Sequence, residues 1–157
     1  MKKYLIALVL AISLTGCTQT ADPVVETAPV SFESACQDTG LTIISQTPAS
    51  HETVYTLSIQ GADSVITVIQ CDSDKDASEL FDQNVQTDQA ENMTVMEQAQ
   101  KDGYTVKVIR NNRANQNYVD AMHDTTVIHI ANLLPQQLTP TLDLLGRLGY
   151  PQPEMNS

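Results

Sequence analysis

Apolar residues along this chain recur with two periods, and the switches between them predict its elements. Phe32, Ala35 and Cys36 fall at i, i+3 and i+4, which predicts a short helix over residues 31–40 with Gly40 as its stop. Leu41–Ser45 reads as a short strand and Gln46–Glu52 as a loop. Thr53–Gln60 (TVYTLSIQ) and Asp63–Cys71 (DSVITVIQC) read as two strands, and Gly61-Ala62 between them supplies a hairpin turn. That turn would set Leu57 opposite Ile66 and Tyr55 opposite Val68 on a buried face. The pattern then becomes helical. Ser73 is placed to cap the new helix, Asp74 and Asp76 suit its positive end, and Ala77, Leu80, Phe81 and Val85 form one stripe. Asn84, Gln86, Asp88 and Gln89 are assigned to its wet side and fraying end.

Met93–Gln100 and Tyr104–Arg110 predict a second hairpin about Asp102-Gly103, followed by a polar loop over Asn111–Asn117. Tyr118–Met122 and Thr125–Ala131 predict a third hairpin around His123-Asp124, in a register pairing Val119 with Ile128 and Ala121 with Thr126. Thr139-Pro140 opens a final helix whose Leu142, Leu145 and Leu148 face the core, and Gly149 ends it. Hairpin then helix occurs at 53–87 and again at 118–148, without the identity of a sequence repeat. The predicted architecture is a single α+β domain over residues 31–150. In it an antiparallel sheet of hairpins packs against two or three helices, and a disordered tail follows at 151–157.

The first thirty residues follow another pattern. Lys2 and Lys3 precede an apolar run from Tyr4 to Leu14, broken only by Ser13. A membrane-spanning helix needs roughly 20 apolar residues, and this run has about half that. It has the proportions of the apolar region of an export signal. Leu14-Thr15-Gly16-Cys17 follows at once. The segment resembles the lipobox of bacterial lipoproteins, Leu-(Ala/Ser/Thr)-(Gly/Ala)-Cys, at all four positions. The resemblance implies that residues 1–16 are a signal peptide cut between Gly16 and Cys17. It also implies that the Cys17 thiol carries diacylglycerol, with further acylation of the new N-terminus. Two chains anchor a protein stably where one holds it only marginally. Residues 17–30, TQTADPVVETAPV after the cysteine, form a flexible tether. The implied location is the extracytoplasmic face of the cell membrane, with the lipid on Cys17 as the membrane contact. The layout as a whole is similar to small uncharacterised lipoproteins of Gram-positive bacteria, a resemblance that implies no activity.

Charge narrows the partners. The chain carries 8 basic and 19 acidic residues, and removing residues 1–16 takes away two of the basic ones, moving the net charge from −11 to −13. A nucleic-acid partner, which needs a basic face, is not expected. The acidity suits a tethered domain that stays soluble beside an anionic surface. With no tryptophan and only Phe32 and Phe81 as phenylalanines, the core must be aliphatic and tyrosine-rich.

Candidate chemistry is sparse. The chain has no G-x-S-x-G elbow, no H-E-x-x-H and no glycine-rich phosphate loop, so the sequence leans away from an enzyme. Asp72-Ser73-Asp74-Lys75-Asp76 opens like a calcium loop, but Ala77 and Gln83 stand where glycine and glutamate are required. The weak metal candidates are His129, Asp120 and His123. In the expected register His129 faces Tyr118, with Asp120 diagonal to it. No cofactor is implied. Three cysteines become an even pair once Cys17 is lipidated, leaving Cys36 and Cys71 as a candidate disulfide or as two small buried hydrophobes. The reading is a non-catalytic binding or interaction module of the cell envelope, with an envelope protein or small ligand as partner. The alternative is a small envelope enzyme or metal-binding protein using His129 and Asp120.

Overall fold

The computed structural model describes residues 30–89 and 93–154. The expected signal peptide, Cys17 and the tether to residue 29 lie outside the described residues. The elements run α1 (Phe32–Asp38), β1 (Thr42–Pro48), β2 (Glu52–Ile59), β3 (Ala62–Gln70), α2 (Asp74–Asp88), β4 (Met93–Lys101), β5 (Tyr104–Asn111), β6 (Gln116–His123), β7 (Thr126–Leu133) and α3 (Pro135–Arg147). The strands form one seven-stranded antiparallel sheet in the order β1-β2-β3-β7-β6-β5-β4. The chain is α+β, as its periodicity predicts.

Strand alternation divides the interior in two. Leu57, Ile66, Val106, Val108, Val119, Ala121, Ile128 and Ile130 point to the face covered by α1 and α3, where Phe32, Ala35, Cys36, Leu142 and Leu145 join them. Ile109 and Val127 point the other way and meet Ala77, Phe81 and Val85 of α2. The second hairpin-and-helix unit therefore lays its helix on the opposite face from the first. The two units share an order of elements but not an arrangement.

Two hairpin registers differ from expectation by two residues. Ile59 pairs with Ala62, so the first turn is Gln60-Gly61, both left-handed (φ 55° and 77°), as a type I′ turn requires. Tyr55 faces Ile66 and Leu57 faces Ser64. In the third hairpin His123 pairs with Thr126 and Asp120 with His129. A slip of two preserves which face each side chain occupies, so the expected inward residues still point inward. The second hairpin turns at Asp102-Gly103 as expected, again with both residues left-handed.

Three boundaries are corrected. β1 runs on to Pro48, past the expected loop at Gln46, because it is an edge strand on which a residue without an N–H is tolerated. α3 begins at Pro135 rather than at Thr139-Pro140. Pro135 takes the first helical position, and the Gln137 side-chain oxygen accepts a hydrogen bond from the Leu134 N–H at 2.8 Å. Pro140 lies inside the helix. The expected tail also starts ordered: the Gln152 side chain donates to the Leu142 carbonyl at 3.1 Å, and Pro153 is buried.

Candidate functional site

The stripe of α2 that faces the sheet does not end at Val85. Asp88, one turn further on, is also buried, so the helix delivers a carboxylate where a hydrophobe would ordinarily sit. Beneath it, the register of β6 and β7 sets Asp120 directly across from His129. Both point to the α2 face, since their i±2 neighbours Tyr118, Met122 and Val127 pack in that core. Asp88, Asp120 and His129 meet there.

His129 Nδ1 lies 2.8 Å from Asp120 Oδ1 and 3.7 Å from Asp88 Oδ2. The three side chains are 27% (His129), 0% (Asp120) and 8% (Asp88) exposed, so only the imidazole reaches solvent. Lys107 is the neighbour of Asp120 on β5, but its ammonium sits over the Phe81 ring, 5.2 Å from the centroid. Asp120 Oδ2 and Asp88 Oδ2 accept no hydrogen bond; among the described residues only one other buried side-chain oxygen, on Asn117, shares that state. A buried acceptor left without a donor costs about 1–3 kcal/mol. Burial pushes the Asp88 carboxyl up, the charge of Asp120 and a hydrogen bond shared with it add to the rise, and the His129 charge opposes it. The hydrogen bond to Asp120 raises the His129 imidazole above its ordinary value, against the effect of its burial. The arrangement offers one nitrogen and two carboxylate oxygens within 4.8 Å of one another.

The other sequence candidates lie elsewhere. His123 faces the opposite side of the sheet, stacked on Tyr104 with centroids 3.5 Å apart and its Nδ1 3.6 Å from Asp124. It does not join His129. The Cys36–Cys71 disulfide is not formed: both thiols are free. Cys36, on the buried side of α1, packs in the core on that face, Cys71 packs against the α2 core on the other, and the sheet stands between them. Of the acids at the start of α2, Asp76 serves the cap, where Ser73 Oγ accepts from the Asp76 N–H and donates to its carboxylate. Separately, a polar cleft of about 910 Å³ opens between the end of α1, β2 and α3, with Asp38, Asp143 and Arg147 on its walls.

Asp88 is the member of the cluster that sequence reasoning missed, placing it on the wet side of its helix. Its signal was its place on the stripe, following 77, 81 and 85 at helical spacing. No protein-family model and no curated protein matches the chain. Among the described residues, no helix is long and apolar enough to cross a membrane.

Proposed function

We propose that this chain is a lipid-anchored protein of the cell envelope whose α+β domain is a binding or interaction module on the extracytoplasmic face of the membrane. The observation that carries the reading is Leu14-Thr15-Gly16-Cys17 behind a basic and apolar leader. The first element among the described residues starts at Phe32, about fourteen residues after the proposed lipidated cysteine. The mature charge of −13, reached by removing two of the eight basic residues, keeps the domain off an anionic surface. An envelope protein or a small ligand is the partner, and the polar cleft beside α3 is a surface on which either could sit.

Metabolic labelling with an acyl-chain analogue tests the anchor. The wild-type chain takes up label and leaves the membrane only with detergent. Cys17→Ala loses the label and accumulates as a precursor sixteen residues longer. Release of the wild-type protein without detergent contradicts the reading.

The 2.8 Å contact between His129 and Asp120 favours a second reading, a metal-binding protein or small envelope enzyme using these residues. An enzyme would require that the cluster turn over a substrate. The binding reading requires only that it hold one.

A further inference from the structure

We propose that Asp88, Asp120 and His129 form a site for a divalent first-row transition cation. The imidazole Nδ1 and one oxygen from each carboxylate are the protein ligands, and the remaining positions are open to solvent. The inference rests on the His129–Asp120 reading and not on the anchor, so loss of acyl labelling would leave it standing.

Spacing is the first argument. Ligands held about 2.0–2.2 Å from one ion lie roughly 3.0–3.5 Å from each other. The observed separations from Nδ1, 2.8 and 3.7 Å, bracket that range, so small side-chain adjustments close the site. The second argument is independent of clustering. Asp120 is wholly buried, yet its Oδ2 has no donor, and Asp88 Oδ2 is in the same position. Native proteins rarely leave such oxygens orphaned; a cation would take up Asp88 Oδ2 directly and supply the positive charge that the Asp120 carboxylate lacks. The third is charge. Two carboxylates face one imidazole, while Lys107, the nearest other cation in the sheet register, is drawn over Phe81. The fourth is access. His129 is 27% exposed, which leaves a route to solvent and room for water or a ligand at the open positions.

The donor set selects the ion. One imidazole with two carboxylates suits manganese, iron, cobalt or zinc in the divalent state. It supplies too few oxygens for calcium, which takes six to eight. Soft ions would need a thiolate, and Cys71 lies before the first turn of α2 while Asp88 is its last residue, at the other end of a 15-residue helix about 22 Å long. Two ligands come from adjacent strands in direct register and the third from a helix packed on them, so the backbone holds the geometry. On binding, the Nδ1 lone pair turns to the cation, any proton on that nitrogen passes to solvent, and Nε2 carries the ring N–H.

The test uses the full chain in detergent, stripped with chelator and titrated at about pH 8 with Co²⁺, Mn²⁺ and, as a control, Ca²⁺. The expected result is one equivalent of Co²⁺, with visible ligand-field bands and no thiolate charge-transfer band. Mn²⁺ should compete for the site and Ca²⁺ should not. His129→Gln and Asp88→Asn should each weaken binding more than about tenfold with an unchanged circular-dichroism spectrum. His123→Gln should leave it intact. Asp88 lies at a helix end, so its variant keeps the test valid if His129→Gln unfolds. Absence of saturable binding overturns the proposal and leaves a proton-sharing structural triad. Binding that survives both substitutions, or that shows a thiolate band, overturns it as well.

Discussion

Gln137 has lost nearly all contact with solvent, and every polar atom of its side chain is in use. Its oxygen accepts from the Leu134 N–H, while its amide lies 3.1 Å from the Ile59 and Ala62 carbonyls and 2.9 Å from Ser64 Oγ. One residue thus caps α3 and fastens it to the β2–β3 turn. Gln137→Ala strands buried acceptors at the turn, and the expected loss is about 2–3 kcal/mol by urea denaturation. The thiols make a second residue-scale prediction. Burial pushes Cys36 up to about 11, with the Glu33 charge adding to the rise, and Cys71 is raised mainly by its own burial. Cys36 should resist alkylation at pH 8 in the native state and react once unfolded. Above its unfolded value of about 8.5 the folded state keeps a proton that the unfolded state has lost. Stability should therefore fall as pH rises from there toward 11, and Cys36→Ala should flatten that slope. Rapid native alkylation would contradict the burial. Gln137 and Asp88 were both illegible at this scale. A polar letter on a helix reads as solvent-facing unless its partners are known, and here the partners of the Gln137 amide nitrogen lie 73–78 residues away and those of Asp88 on β6 and β7.

α2 is the only helix among the described residues that covers its face of the sheet, and Phe81 is its largest buried side chain. Phe81→Ala should cost about 3–5 kcal/mol. Native-state hydrogen exchange should show the loss concentrated in α2, because α1 and α3 pack on the separate core. Loss of protection spread evenly over all three helices would contradict the two-core description. Element identity was well written in the sequence: the stripe 77/80/81/85, the Asp102-Gly103 turn and the Phe32/Ala35/Cys36 face all stand where their periods put them. Registers were less legible. Gly61 marked the first turn but did not say whether it stood first or second in it, and the left-handed backbone at Gln60 put it second. The same two-residue uncertainty moved Asp120 from a diagonal to a direct partner of His129, which tightened the candidate site. The start of α3 was hidden because its cap comes from Gln137 behind a leucine, not from a Ser, Thr, Asp or Asn at the boundary.

At the scale of the molecule, the pieces describe a small three-layer domain with a buried nitrogen-and-carboxylate cluster under α2, in an acidic chain. The domain architecture and the leader are legible for different reasons. The first follows from hydrophobic period, and the second from a four-residue motif at a fixed distance behind a basic and apolar segment. What the module holds is not written in any motif, because its candidate ligands are separated by 32 and 9 residues and converge only through sheet register. The proposed anchor would give that cluster a location, and it is the claim on which the functional account depends. Intact-mass analysis of the protein extracted from membranes tests it most directly. The account predicts a chain that lacks residues 1–16, begins at Cys17 and carries the added mass of a diacylglyceryl group. A chain that still begins at Met1, or one cut elsewhere with Cys17 unmodified, would contradict it.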